Sequence, residues 1–132
     1  MDTARWNEGR NKEILLNLFH VLVVAPFFIY IGIQRTSIPE VLYSGLIGLS
    51  IAVFFYHFYR GYSNWKAGKS SLWVNLFHMA IIVPLLLWIG YHEKNTSRVA
   101  FEMALLMGFA ALGYHLYRLV LVTNTVSGST SN

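Results

Sequence analysis

Four apolar runs, at 14–33, 38–59, 72–91 and 99–122, leave this chain few folds to choose from. Each has 20 or more residues, and about 20 helical residues cross the roughly 30 Å hydrocarbon core of a bilayer. Inside lipid the backbone donors and acceptors of a span must be satisfied internally, which selects helices. The charged fraction is 12%, about half the roughly 25% of a soluble domain. The expected class is all-α, an integral membrane four-helix bundle. With no cysteine in the chain, disulfides and thiolate metal sites are ruled out. The net charge of +4 is spread over the ends of the apolar runs, a pattern that fits membrane topology and not nucleic-acid binding.

The runs are not independent. Asn17-Leu18-Phe19-His20 returns 58 residues later as Asn75-Leu76-Phe77-His78. Pro26 maps to Pro84, Gly32 to Gly90, and Tyr56-His57-Phe58-Tyr59-Arg60 to Tyr114-His115-Leu116-Tyr117-Arg118. At this offset 13 of the 44 pairs from Asn17 to Arg60 are identical, the mark of an internal duplication. Shifting by one residue places Trp6 over Trp65 and Gly9 over Gly68. The chain divides into an interfacial segment (1–12), repeat 1 (13–60), a linker (61–71), repeat 2 (72–122) and a polar tail (123–132). Short connections favour two tandem transmembrane hairpins. Hairpins in the same orientation form a parallel repeat, with a pseudo-two-fold axis along the membrane normal. Pro26 and Pro84, in the middle of their runs, each remove a helical hydrogen bond and should kink the first and third helices.

Positive charge sets orientation. Arg5, Arg10, Lys12, Arg60, Lys66, Lys69 and Arg118 fall on one side, and Arg35, Lys94 and Arg98 on the other. This bias puts both termini and the linker in the cytoplasm. Trp6 and Trp65 belong in the headgroup layer of that same face. Together with its basic residues they would contact anionic headgroups or protein partners.

Each repeat carries one histidine early in its first run and one late in its second. Because the two runs are antiparallel, His20, His57, His78 and His115 are expected at similar depth, as one layer. Asn17 and Asn75 precede His20 and His78 at the i, i+3 spacing that shares a helix face. Three uses of such a layer are open. The first is interhelical hydrogen bonding, worth about 0.6 kcal/mol per contact on average. The second is a cofactor. Imidazole is the commonest protein metal ligand, and helical bundles build haem and metal sites from facing side chains. Paired histidines could ligate haem b, or four could hold copper or zinc, with Asn17 and Asn75 orienting the rings. The third is a proton or ion path, for which intramembrane ionisable residues are natural candidates. Against it, the rest of each run is strongly apolar. Glu40 and Glu102 are the acids within the runs, each close to an end, and Glu102 maps to Ser44.

Ser44, Gly48 and Ala52, and likewise Ala100, Ala104 and Gly108, stand at four-residue spacing. Such stripes let helices approach closely, inside the bundle or in a homo-oligomer. The aromatics Phe19, Phe27, Phe28, Tyr30, Phe54, Phe55, Trp73 and Trp88 are expected on lipid-facing surfaces, and His92 in solvent. No phosphate loop, paired nucleophile and base, or acidic metal cluster supports an enzyme.

The pattern Asn-Leu-Phe-His-x5-Pro followed by Tyr-His-x-Tyr-Arg resembles small uncharacterised multi-span membrane proteins of large DNA viruses of algae and protists. The resemblance covers both repeats. It implies a component of a virion's internal membrane or membrane–capsid layer. The reading is a non-enzymatic, structural or anchoring membrane protein, with haem or metal binding and ion conduction as alternatives.

Overall fold

A computed structural model of the chain describes residues 3–127, with side chains over 7–124. Helix α1 (Thr3–Phe19), a π-helical turn (His20–Val24) and α2 (Ala25–Gln34) run on without a break, and a 3-10 turn (Arg35–Ser37) leads to α3 (Glu40–Lys66). Helix α4 (Leu72–Phe77), a second π turn (His78–Ile82) and α5 (Val83–His92) follow; a second 3-10 turn (Glu93–Asn95) leads to α6 (Arg98–Ser127). No strand occurs among the described residues. Four helical segments, Asn7–Ser37, Glu40–Lys66, Leu72–Asn95 and Arg98–Asn124, are long and apolar enough to cross a membrane. The expected side chains of Arg5 and Trp6, and the tail beyond Ser127, lie outside the described residues.

The helices extend past the apolar runs. α1 begins at Thr3, and α3 continues to Lys66 through half of the expected linker. Packing sustains that extension: Gly61 and Asn64 are buried, and Asn64 Nδ2 donates to Ser71 Oγ at 3.1 Å. The helix then stops at Gly68, with φ of +61°. The Gly68 amide bonds the Trp65 carbonyl and the Lys69 amide reaches the Asn64 carbonyl, at 3.1 and 3.0 Å. That is a Schellman turn, whose left-handed position glycine fills at least cost.

Each proline is accommodated by a widened turn. Proline has no N–H, and its ring crowds the carbonyl four residues earlier. The amides of Ala25 and Val83, each one residue before a proline, bond five residues back to the carbonyls of His20 and His78. The helix gains a residue in the turn it would otherwise break. Both widened turns open at a histidine.

The chain packs as two compact units, one of described residues up to Ile33 and from Ala104 onward, the other Gln34–Met103. Neither unit coincides with a sequence repeat. The first holds the first and last of the four long helical segments, and the second holds the middle two.

In the first unit the N-terminal helix lies antiparallel to α6. A Cβ added at Gly32 would stand 2.7 Å from the Leu105 amide nitrogen, and one at Gly108 would stand 2.9 Å from that of Ile29. Only a hydrogen at these positions lets the backbones come so close. In the second unit α3 packs along α4, the π turn and α5. A Cβ at Gly90 would sit 2.8 Å from the Tyr43 carbonyl oxygen. Tyr43, Leu46 and Ser50 on α3, and Leu86 and Ile89 on α5, are buried. The two 3-10 turns touch, and Lys94 Nζ binds Glu40 Oε1 at 2.6 Å. Each turn opens on a residue of positive φ, Arg35 at 51° and Glu93 at 48°.

The two small-residue stripes have different fates. Ala100, Ala104 and Gly108 are buried, whereas Ser44, Gly48 and Ala52 are exposed, and nothing lies within 4 Å of a Cβ at Gly48. Helix α3 presents the adjoining face, carrying Tyr43, Leu46 and Ser50, to its neighbour. Of the eight aromatics expected outside, only Phe28 is buried.

Gly32→Val and Gly90→Val should each destabilise the protein by about 1–3 kcal/mol, the usual cost of overpacking, whereas Gly48→Val should not; thermal unfolding in detergent micelles measures all three. Tyr43 is fully buried and its hydroxyl has no partner among the described residues. Its repeat counterpart, the equally buried Phe101, has no hydroxyl. Tyr43→Phe should therefore leave the midpoint unchanged or raise it, and a clear drop would show that the hydroxyl has a partner.

Candidate functional site

The four histidines come together as two pairs, one inside each unit. In the first unit the rings of His20 and His115 stack with centroids 4.1 Å apart and planes 24° from parallel. In the second, His57 and His78 stack at 4.0 Å and 12°.

The asparagines close each pair, though not as their spacing suggested. Asn17 and Asn75 do not orient the histidine on their own helix. Asn17 Oδ1 meets His115 Nδ1 at 2.7 Å, and Asn75 Oδ1 meets His57 Nδ1 at 3.0 Å. Each contact crosses from one helix to the other. Asn17 Nδ2 donates to the Glu13 carbonyl at 2.8 Å, and Asn75 Nδ2 to the Ser71 carbonyl at 3.2 Å. Both asparagines are buried, so these bonds satisfy amides that have little water to turn to.

The acceptors fix the tautomers. A carbonyl oxygen can only accept, so each asparagine turns Nδ2 toward the carbonyl and Oδ1 toward the imidazole. The imidazole must then donate from Nδ1. His20 and His78 do likewise toward the carbonyls of Leu16 and Val74, at 2.8 and 2.7 Å. All four rings thus carry the proton on Nδ1 and, when neutral, the lone pair on Nε2.

We call each set of two histidines and one asparagine a clasp. Its parts are placed by local structure: asparagine and first histidine stand one turn apart on one helix, with the π turn beginning at that histidine. The second histidine arrives from the antiparallel neighbour. Near the first clasp, Arg118 on α6 pairs with Glu13 on α1. The sequence suggested that Arg118 would reach for headgroups; in the structure a carboxylate holds it. Glu13 was missed, although its position four residues before Asn17, matched by Ser71 before Asn75, was a legible signal.

The geometry bears on cofactors. Bis-histidine haem ligation requires two imidazoles on opposite faces of the porphyrin with iron between their lone pairs. Rings stacked face to face at about 4 Å leave no such gap within either pair. Among the described residues, no group of three or more His, Asp or Glu side chains converges on a metal position. Neither stacked pair, as it stands, leaves room for haem iron between its two rings.

The other expected contact residues divide by unit. In the first, Arg10 Nη2 donates to Asn7 Oδ1 at 2.9 Å, and Lys12 pairs with Glu8 at 2.6 Å. In the second, Arg60, Trp65, Lys66 and Lys69 are all exposed, and Lys66 Nζ lies 4.9 Å from the centre of the Tyr62 ring. Glu102 accepts from Arg98 Nε at 2.6 Å. His92, expected in solvent, is half-buried; its ring stacks on Trp88 at 4.0 Å, and its Nδ1 bonds the Trp88 carbonyl.

A double-mutant cycle on Asn17→Ala and His115→Ala should give a coupling of about 0.6 kcal/mol, and up to about 1.7, the range found for interhelical hydrogen bonds in membranes. The cycle on Asn17→Ala and His20→Ala should be smaller, because those two side chains do not bond to each other. Reversible unfolding in mixed micelles reads both, and a larger Asn17–His20 coupling would reject the cross-helix assignment. No family model, curated protein or solved structure matches this chain.

Proposed function

We propose that this chain is a non-enzymatic, multi-pass membrane protein with a structural or anchoring role, and that its histidines serve as locks between helices. One observation carries the reading: every histidine Nδ1 is committed to a protein acceptor, and in both pairs the asparagine bond runs between helices. A polar group in hydrocarbon is held most cheaply by another polar group of the same protein.

Support for the membrane comes from the outer surface. Leu15, Leu22, Val41, Phe55 and Tyr117 are each more than 60% exposed. Such side chains in water would cost about 25 cal/mol for each Å² of apolar area, a penalty that acyl chains remove. We further propose that repeats 13–60 and 72–122 descend from one duplicated hairpin sequence. The recurrence of π turn, close-approach glycine and clasp at the 58-residue offset supports this. The termini and the turn after α3 belong on the cytoplasmic side by the bias of basic residues. The proposed setting is a virion's internal membrane or membrane–capsid layer, as the sequence resemblance implies.

The test is an absorption spectrum with elemental analysis on detergent-purified protein made with haem, copper and zinc in supply. A clasp without a cofactor predicts colourless, metal-free protein. It also predicts that His57→Ala and His115→Ala lower the unfolding midpoint while the protein still inserts. A Soret band, or near-stoichiometric metal lost in His20→Ala/His78→Ala, would overturn the reading in favour of a cofactor site.

A further inference from the structure

The sequence assigns one basic face to this protein, but the structure shows that its basic residues are not equivalent. In the first unit, Lys12 and Arg118 are held by the carboxylates of Glu8 and Glu13, and Arg10 bonds Asn7. In the second unit, charge is segregated along the helices. At one end Glu102 pairs with Arg35 and Arg98, and Lys94 pairs with Glu40. At the other stand Arg60, Lys66 and Lys69, and no carboxylate occurs in the sequence between Glu40 and Glu93. Among the described residues none of these three cations is in an ion pair.

The surroundings of the three cations identify what covers them. Trp65 and Trp73 are 66% and 58% exposed, flanking the turn on either side. Tyr62 is exposed as well, its ring 6.2 Å from that of Trp65 at a 46° tilt and under the Lys66 ammonium. Indole and phenol rings of this kind settle at the headgroup level of a bilayer. Directly below them the exposed apolar wall continues through Phe58, Tyr59 and Leu76. An occupant must be apolar along the wall and anionic at its rim. An acidic protein partner satisfies only the second requirement, whereas a phospholipid with a net negative headgroup satisfies both.

We infer that Arg60, Lys66 and Lys69, framed by Trp65 and Trp73, form a docking site for anionic phospholipid headgroups at the α3–α4 end of the second unit. The inference rests on the membrane reading and adds a preferred lipid to it. The Schellman turn serves the site by fixing Lys66 and Lys69 on a short, ordered corner. Basic residues beside an anionic leaflet each strengthen association by about fivefold, an effect that salt screens.

The test reconstitutes the full chain into phosphatidylcholine vesicles containing a minor fraction of phosphatidylserine. Flotation confirms insertion, and mild detergent extraction followed by lipid analysis gives the serine-to-choline ratio retained on the protein. The wild type should retain phosphatidylserine several-fold above its bulk fraction, and less so in high salt. Arg60→Gln/Lys66→Gln/Lys69→Gln should fall to the bulk ratio, while Arg35→Gln/Lys94→Gln/Arg98→Gln should keep the enrichment. An inserted wild type with no enrichment would overturn the site, leave the membrane reading standing and pass the cations to an acidic protein partner. Equal loss in both variants would also overturn it, by showing a diffuse charge effect. Failure of the wild type to float would reject the membrane reading itself, and the site with it.

Discussion

A buried amide needs a partner for its N–H and its oxygen alike, and an imidazole N–H away from water needs an acceptor. Asn17 and Asn75 meet both requirements at once. Each gives its N–H to a carbonyl one turn back on its own helix and turns its oxygen to a histidine on the neighbouring helix. That bond sets the rotation and depth at which the two helices meet, since neither amide nor ring can slide along the helix without losing its partner. Ring stacking and the close-approach glycines further along each pair then act on helices already in register.

The proline-associated π turns belong to the same arrangement. A proline one residue nearer the histidine would draw the widened turn into the segment between asparagine and histidine and rotate the one relative to the other. With Pro26 and Pro84 each six residues after the histidine, the insertion falls just beyond the clasp, so asparagine and histidine keep ordinary α-helical spacing behind it. Two constraints are thereby separated along one helix: a regular polar turn, then a widened turn that absorbs the proline.

The histidine pairs and the basic end of the second unit use opposite physics. In the clasps, polar groups are satisfied internally and turned away from the surroundings. At the α3–α4 turn, charge is left at the surface beside exposed aromatic rings. The first unit closes off comparable cations with Glu8 and Glu13, so the difference between the ends lies in where carboxylates occur.

Much of this was legible in the chain. The lengths of the apolar runs dictated the four helices because lipid leaves a backbone no other economical form. The 58-residue offset made His20, His57, His78 and His115 equivalent by pairs; the prolines pointed to kinks in the first and third helices, where the structure has widened turns. What sequence could not supply was the choice of neighbour. Asn17 and His20 share a helix face, and spacing alone favours a link between them, but a side chain at i, i+3 competes with any group a second helix brings. Only packing brings His115 to Asn17 and His57 to Asn75. The stripes show the same limit, since Gly48 and Gly108 read alike and only Gly108 meets another backbone. Local spacing determined which residues are helical and which repeat; the tertiary structure decided their partners, because contacts between helices depend on rotation and depth that no single helix encodes.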